Sequence, residues 1–179
     1  LSDAWWILEG EDAGDAAGSS VAFAGDVDGD GADDLLVGAP MYGSGAQQSA
    51  GRAYLILGSQ LTAGGGILDL GLYATASFDG AQPADLAGSA VSSAGDVNED
   101  GYDDILIGAP ENDGGGSASG HAYVFLGSDV MGGGAFSLTS AFGSFIGASS
   151  NDYAGGALGF VEDLNGNGTG DVCDGPCVL

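Results

Sequence analysis

The chain has 179 residues, of which 44% are hydrophobic and 37 are glycine, so its length and composition suit one folded unit with a core and argue against a disordered acidic tail. It carries 26 Asp and Glu residues but a single basic residue, Arg52, which gives a formal net charge of −25. This balance argues against nucleic acid and anionic membranes as partners, and no apolar run reaches the roughly 18 to 20 residues of a membrane-spanning helix.

In chain order, the sequence predicts short β-strands separated by turns rich in Gly, Asp and Pro. The first is AWWILEG (4–10), and the next four are SVAFAGDV (20–27), DDLLVGAP (33–40), GRAYLILGS (51–59) and LYATASFDG (72–80). No segment carries apolar residues at helical spacing over a helical length, and the many glycines oppose stable helices. The sequence therefore predicts an all-β fold.

These strands belong to an internal repeat of about 70 residues. AGSSVAFAGDVDGDGADDLLVGAP (17–40) recurs without a gap as AGSAVSSAGDVNEDGYDDILIGAP (87–110), and a partial third copy, AGGALGFVEDLNGNGTGD, spans 154–171. The predicted organisation is 1–16, the last strand of a preceding blade and a linker; 17–86, repeat 1; 87–153, repeat 2; and 154–179, a partial third repeat that stops after its aspartate loop and adds a cysteine-containing tail. Four-stranded antiparallel sheets at a fixed period are typical of β-propeller blades or of a sheet solenoid.

Each repeat contains a loop with Asp or Asn at positions 1, 3, 5 and 9 and glycine at position 6. Oxygen side chains at every second residue can converge on one cation, and the glycine permits the sharp bend. A donor set made only of oxygens favours Ca²⁺, so three calcium sites are predicted, with position 7 supplying a backbone carbonyl. The predicted ligands are Asp26, Asp28, Asp30, Ala32 and Asp34; Asp96, Asn98, Asp100, Tyr102 and Asp104; and Asp163, Asn165, Asn167, Thr169 and Asp171.

Two other structures could account for such loops. Asp/Gly turns are common in β proteins, but three copies at repeat spacing favour a cation site. An EF-hand requires flanking helices and Glu at position 12, where this chain has Val37 and Ile107. Asp33, at position 8, is expected to point away from the ion.

The loops, the strands that end in Gly-Ala-Pro, and the GRAYLILG and GHAYVFLG strands together resemble the FG-GAP repeat of integrin α-subunit propellers and their bacterial relatives. The resemblance implies a four-stranded blade, Ca²⁺ in the loop between its first two strands, and an extracellular setting. The family's Phe-Gly start is Ala-Gly here, at residues 17–18, 87–88 and 154–155. Such propellers usually have seven blades, so about two blades with partial flanking ones cannot close a ring alone.

The third loop leads into Val-Cys-Asp-Gly-Pro-Cys and resembles a thrombospondin type 3 calcium repeat, in which Asp174 would be a further ligand. Asn167 also begins a glycosylation sequon, Asn-Gly-Thr, but a ligand role is favoured over a glycan. Cys173 and Cys177 leave three states open, namely a local disulfide, a bridge to another chain, or free thiols.

Few residues suggest catalysis. His121 is the only histidine and is interpreted as a surface strand residue rather than a catalytic base, because no nucleophile motif accompanies it. The acid pairs could suggest a glycosidase, but their spacing fits metal ligation better. Trp5 and Trp6 are expected to point one outward and one inward on a strand.

The sequence thus predicts a non-enzymatic, extracellular or cell-surface calcium-binding module with a structural or adhesive role. Its open blade edges would bind other copies, in a ring or filament, or the remainder of a longer chain, and extracellular protein or glycan is a further class of partner. Because the chain begins at Leu1, we expect a mature or excerpted segment. The alternative is that it is the non-catalytic propeller of a larger secreted enzyme or adhesin.

Overall fold

The computed structural model describes residues 5–43, 45–61, 64–161 and 171–174. In these ranges the strands are β1 (Trp6–Glu9), β2 (Ser20–Gly25), β3 (Asp34–Ala39), β4 (Arg52–Ile56), β5 (Gly66–Asp69), β6 (Ala76–Asp79), β7 (Val91–Gly95), β8 (Asp104–Ala109), β9 (His121–Phe125), β10 (Gly134–Ser137), β11 (Gly143–Ile146), β12 (Leu158–Val161) and β13 (Asp171–Asp174). Two one-turn helices, α1 (Leu70–Tyr73) and α2 (Gly127–Val130), and 3₁₀ turns at Gly45–Gln47, Gly58–Leu61 and Leu138–Ser140 complete the described elements. The all-β prediction is confirmed.

Two four-stranded antiparallel sheets form the body of the molecule. Blade 1 consists of β2, β3, β4 and β6 in that spatial order, and blade 2 consists of β7, β8, β9 and β11. The first strands of successive repeats, β2, β7 and β12, pack side by side. The predicted four strands per repeat are therefore confirmed, whereas the predicted boundaries at residues 16/17, 86/87 and 153/154 stay predictions.

An additional short strand links neighbouring blades and was missed in the sequence. After β4 the chain forms β5, which pairs in parallel with β1. In the next repeat β10 pairs in parallel with β6, the outer strand of blade 1. Since β1 pairs with β5 as β6 pairs with β10, β1 takes the place of an outer strand relative to blade 1.

The second strand of each blade is buried on both faces, which explains its uninterrupted apolar sequence. In β3, Leu36 enters the core between the two blades, whereas Val37 packs on the opposite side with Trp6 and Leu8. In β8, Leu106 forms a smaller cluster with Leu158 of the third repeat. Blade 1 is thus packed between β1 and blade 2, and blade 2 is packed between blade 1 and β12.

The core between blades 1 and 2 is centred on three aromatic rings. The ring of Phe78, on β6, is fully buried and lies with its centroid 4.8 Å from that of Phe125 and 5.6 Å from that of Phe136. Phe145 holds the same register position in blade 2, because it is paired with Ala122 as Phe78 is paired with Ala53. Phe145 is nevertheless 46% exposed.

Glycines allow successive repeats to approach closely. A β-carbon on Gly38, in β3, would lie 1.9 Å from the carbonyl oxygen of Gly88, at the start of repeat 2. A β-carbon on Gly108 would lie at the same distance from the carbonyl oxygen of Gly155. The glycine of each Gly-Ala-Pro segment therefore contacts the Ala-Gly start of the next repeat, and no larger residue fits there.

Two details differ from the sequence prediction. The strand predicted over 72–80 begins only at Ala76, because Leu70–Tyr73 form a helical turn in which the Asp69 carboxylate accepts the amide of Gly71 at 2.9 Å. The third repeat does not stop after its aspartate loop, since β13 pairs antiparallel with β12 as β3 pairs with β2.

Within the described ranges no helix has the length and hydrophobicity needed to cross a bilayer.

Candidate functional site

The first aspartate loop, between β2 and β3, gathers three carboxylates at one point. Asp26, Asp28 and Asp30 each place a carboxylate oxygen within 4.8 Å of the other two. Backbone amides hold this arrangement. The amide of Gly31 donates to Asp26 Oδ2 at 3.0 Å, and that of Ala32 donates to Asp30 Oδ1 at 2.8 Å. The predicted convergence of positions 1, 3 and 5 is therefore present in this loop.

One oxygen of this group lacks a partner. Asp26 Oδ1 is buried and receives no hydrogen bond from the described residues. Leaving a buried carboxylate oxygen unsatisfied costs free energy, and like charges from Asp28 and Asp30 close by add to that cost. A hard divalent cation would satisfy the oxygen and offset the repulsion, so this donor set fits Ca²⁺.

The position 9 aspartates, Asp34 and Asp104, lie outside the three-carboxylate group and are fully buried. The two oxygens of Asp34 accept the amides of Val27 at 2.9 Å and Gly58 at 2.8 Å. The two oxygens of Asp104 accept the corresponding amides, those of Val97 at 2.8 Å and Gly127 at 2.9 Å. Burial raises the pKa of both carboxyl groups and these hydrogen bonds oppose the rise. Position 9 thus fastens the first and second loops to the end of the third strand of their blades, and its role as a ligand stays a prediction.

The second loop is held by similar hydrogen bonds but carries one carboxylate fewer, because Asn98 replaces Asp28. Asp96 accepts the amides of Asp100 at 3.0 Å and Gly101 at 2.8 Å. The side-chain amide of Asn98 donates to Asp100 Oδ2 at 2.9 Å, and the Ser128 hydroxyl donates to the same oxygen at 2.7 Å. These bonds, that from Ser128 foremost, lower the pKa of Asp100. The loop is therefore formed, with an amide in place of the middle carboxylate.

The third loop falls largely outside the described residues. This applies to Asp163, Asn165, Asn167 and Thr169, and to Cys177. Asp171 begins β13 as Asp34 begins β3, and Asp174 ends β13, opposite Leu158. The backbone of Asp174 is therefore in a strand, like that of its counterparts Val37 and Ile107. The ligand roles in this loop and the resemblance to a thrombospondin type 3 repeat stay predictions.

Asp103, at position 8 of the second loop, is a residue that the sequence interpretation missed. Its Oδ2 accepts the backbone amide of Asp26, in the first loop, at 2.8 Å. The backbone amide of Asp103 in turn donates to the carbonyl oxygen of Asp26 at 3.0 Å. The sequence signal was present, since position 8 is Asp in the first two loops and Gly170 in the third.

Arg52 joins the linker before blade 1 to the outer strand β6. Its guanidinium contacts Glu11 at 2.7 Å and Asp79 at 2.5 Å, and its Cζ atom lies 3.8 Å from the centroid of the Tyr42 ring. The hydrogen bond and charge of Asp79 raise the pKa of Arg52 against the opposing effect of burial. This group links the segment around Glu11 to β6, with one positive charge between two carboxylates.

His121 occupies the place of Arg52 in blade 2, and its prediction as a surface residue was wrong. The ring is only 7% exposed and its Nδ1 atom is buried without a hydrogen bond from the described residues. The neighbouring Asp85 is buried as well and accepts the side-chain amide of Asn112 at 2.9 Å. Burial lowers the pKa of His121, with Asp85 opposing. The prediction for the tryptophans is confirmed, since Trp5 is 77% exposed and Trp6 is partly buried against the core.

The two repeats match a known family of repeats. Residues 17–56 and 87–125, each running from the Ala-Gly start to the third strand of its blade, match the FG-GAP repeat. The chain contains integrin α-type FG-GAP repeats. In these repeats the usual Phe-Gly start is replaced by Ala-Gly, and Ala87 is fully buried in a short parallel bridge to Gly51.

Several relatives share this region. The chain is 38% identical to integrin alpha-PS2 of Drosophila melanogaster over 128 residues, which is 69% of the chain and 8% of the relative. It is 40% identical to human integrin alpha-IIb over 124 residues, or 67% of the chain and 11% of the relative. It is also 38% identical to mouse phosphatidylinositol-glycan-specific phospholipase D over 109 residues, or 60% of the chain and 13% of the relative. The chain therefore spans only about a tenth of the length of these relatives.

Proposed function

We propose that these repeats form a calcium-binding, non-enzymatic module of a secreted or cell-surface protein, with a structural or adhesive role. The observation that supports this most directly is the buried, unpartnered Oδ1 of Asp26 among three convergent carboxylates. A cation there would supply the missing partner, and Arg52, the single basic residue of the chain, is already paired with Glu11 and Asp79.

Calcium in this proposal stabilises the fold rather than taking part in a reaction. The ion in the first loop would be held by Asp26, Asp28 and Asp30, with Ala32 and Asp34 as further predicted donors. Each bound ion offsets part of the formal charge of −25 and fixes the turn between two strands, so its binding free energy adds to the stability of the folded state. About three sites are proposed, one in each loop.

The adhesive and extracellular parts of the proposal come from the relatives. Integrin α chains from fly, mouse and human align with two thirds of the chain or slightly more. Because they are much longer than the aligned region, their similarity supports the module and leaves its binding partner to be determined by experiment.

Exposed apolar residues at the two outer blade faces support packing against further blades. On β2, Val21 is 54% exposed and Phe23 is 72% exposed, whereas Val91, at the position of Val21 in blade 2, is only 5% exposed. On β11, Phe145 is 46% exposed. We propose that these faces are covered by neighbouring blades of a longer chain or by other copies in a ring or filament.

A second candidate is that the module is the non-catalytic part of a larger secreted enzyme or adhesin. The similarity to a protein named as a phospholipase D favours it specifically. The mass of the native protein separates an assembly of separate copies from a longer chain, because a chain much larger than 17.3 kDa would identify the module as part of a longer protein. Imaging of the native particle would distinguish a ring from a filament.

Calcium titration by calorimetry and thermal unfolding with and without EDTA test the central proposal. At calcium concentrations about 100 times Kd, each site that binds only the folded state adds about 2.7 kcal/mol, so EDTA should lower the Tm sharply. Asp26→Asn should remove the first site, whereas Asp129→Asn, which changes the same charge at an exposed position in α2, should not. A Tm that does not respond to EDTA would exclude a structural role for calcium. The charges of −4, −3 and −2 on the predicted ligands predict decreasing affinity from the first loop to the third.

A further inference from the structure

The first two aspartate loops contact each other across the interface between the blades. Asp103, in the second loop, accepts the backbone amide of Asp26 through Oδ2 at 2.8 Å and donates its own amide to the Asp26 carbonyl at 3.0 Å. Asp26 is the first predicted ligand of the first loop, and its Oδ1 is the unpartnered oxygen. Asp103 therefore fixes the backbone from which that ligand extends.

The surrounding residues are shaped to admit this contact. Gly25 has a φ of +82°, and a β-carbon there would lie 2.1 Å from Asp103 Oδ2. A β-carbon on Gly29 would lie 2.8 Å from Cε1 of Tyr102. The first loop thus leaves room for two consecutive side chains of the second loop, and a larger residue at either glycine would displace them.

Among the described residues, only the second loop contacts a preceding loop through its position 8 side chain. Asp33 holds position 8 in the first loop, but it is exposed and makes no comparable bond within the described residues, whereas Asp103 is half-buried. In the third loop position 8 is Gly170, which has no carboxylate. Among the three loops, the sequence and the contacts therefore single out the link from the second loop to the first.

We propose that Asp103 is a positioning residue that couples the two cation sites, so that occupancy of the second loop strengthens binding in the first. The inference rests on the proposed function, namely that both loops bind calcium. Asp103 lies between Tyr102 and Asp104, two predicted ligands of the second loop. An ion held there restrains the backbone on both sides of Asp103 and keeps its carboxylate aligned with the amide of Asp26. The coupling is reciprocal, so calcium in the first loop strengthens the second site by the same factor.

Amide signals can report the two sites separately in calcium titrations of the 179-residue chain by NMR. The amide of Gly31 donates to Asp26 in the first loop, and that of Gly101 donates to Asp96 in the second. Asp103→Ala should weaken the calcium response at Gly31 about tenfold, the equivalent of about 1.4 kcal/mol and the size of one hydrogen bond to a charged group. Asp103→Asn should recover part of this loss, because the Asn carbonyl can still accept the amide.

Asp33→Ala is the matched control. It removes the same charge from the same loop position, but from an exposed side chain that makes no hydrogen bond to Asp26 within the described residues, so it measures the general effect of losing one carboxylate beside the first site. The proposal requires a larger effect from Asp103→Ala. It is overturned when the Gly31 response weakens no more in Asp103→Ala than in Asp33→Ala. If Asp103→Ala does not fold, Asp103→Asn is compared with Asp33→Asn on the same criterion.

Disabling the second site separates coupling from a merely structural role. The double variant Asp96→Asn and Asp100→Asn should itself weaken the first site about tenfold, and adding Asp103→Ala to it should change little. An equal effect of Asp103→Ala with and without a working second loop would overturn the coupling. A parent chain in which neither Gly31 nor Gly101 responds to calcium would overturn the calcium assignment itself, and the coupling with it.

Discussion

Phe78 and Phe145 offer a matched test of how strongly one blade stabilises the next. Both occupy the same register position on the outer strand of a blade, but Phe78 is fully buried against Phe125 and Phe136, whereas Phe145 is 46% exposed. Phe78→Ala should lower the free energy of unfolding by about 3 to 5 kcal/mol, because it removes a buried ring and leaves a cavity among rigid neighbours. Phe145→Ala should cost about 1 kcal/mol, since roughly half of the ring is already in water and no closed cavity forms.

The assay is guanidinium chloride unfolding at saturating calcium, followed by circular dichroism. The comparison requires m values that do not change between variants, since a changed m would indicate an altered unfolded or native ensemble. Losses for Phe78→Ala and Phe145→Ala that agree within about 0.5 kcal/mol would refute the interpretation that blade 2 buries the outer strand of blade 1.

Three further variants probe other contacts. Arg52→Met should lower the free energy of unfolding by about 1 to 2 kcal/mol, and not more, because Glu11 and Asp79 are each more than a third exposed and water replaces part of the lost interaction. Urea unfolding should show a smaller loss in 1 M NaCl, and an undiminished loss would contradict the ionic explanation. His121→Gln should flatten the acid side of the stability curve: burial lowers the pKa of His121 in the folded state, so the unfolded chain binds the proton more readily and the parent loses stability as the pH falls below about 6.5. Parallel Tm curves for the parent and His121→Gln between pH 7.5 and 5 would contradict this. Gly25→Ala should cost about 2 kcal/mol or more in thermal unfolding, because it combines a positive φ with a clash against the neighbouring loop, and an unchanged Tm would show that the loops separate freely.

The strands and the first loop could be predicted because their signals are local. The apolar runs around Leu36 and Ile107 are bounded by turn residues, and repetition at an offset of 70 residues identified them twice. The alternation of Asp26, Asp28 and Asp30 likewise acts within one turn of the chain. Local patterns of this kind require no knowledge of neighbouring elements.

The remaining features depend on contacts between repeats. The parallel strand β5 is four residues long, and it is a strand only because β1 lies beside it. His121 is buried by elements around Asp85 and Asn112, which the strand pattern does not reveal. The bond from Asp103 to Asp26 joins residues 77 positions apart, so a comparison of repeat with repeat cannot show it.

Position 9 illustrates a different limit. The alternating pattern groups Asp34 with the predicted ligands, but both of its oxygens accept backbone amides from Val27 and Gly58. Spacing along the chain identifies which residues carry oxygen atoms, whereas it does not determine which donors compete for them. Only the folded loop shows that this carboxylate also closes the turn.

The glycine contacts between Gly38 and Gly88 and between Gly108 and Gly155 also bear on the shape of any larger assembly. At each contact the backbones of two blades meet without a side chain between them, which sets how closely the sheets lie at that point. A methyl group there would act as a wedge and change the angle between neighbouring blades. Since the same contact recurs at both junctions between successive repeats, small angular changes would add up along the array. The curvature of the array, and hence the number of blades that completes a turn, is therefore encoded partly in positions that have no side chain.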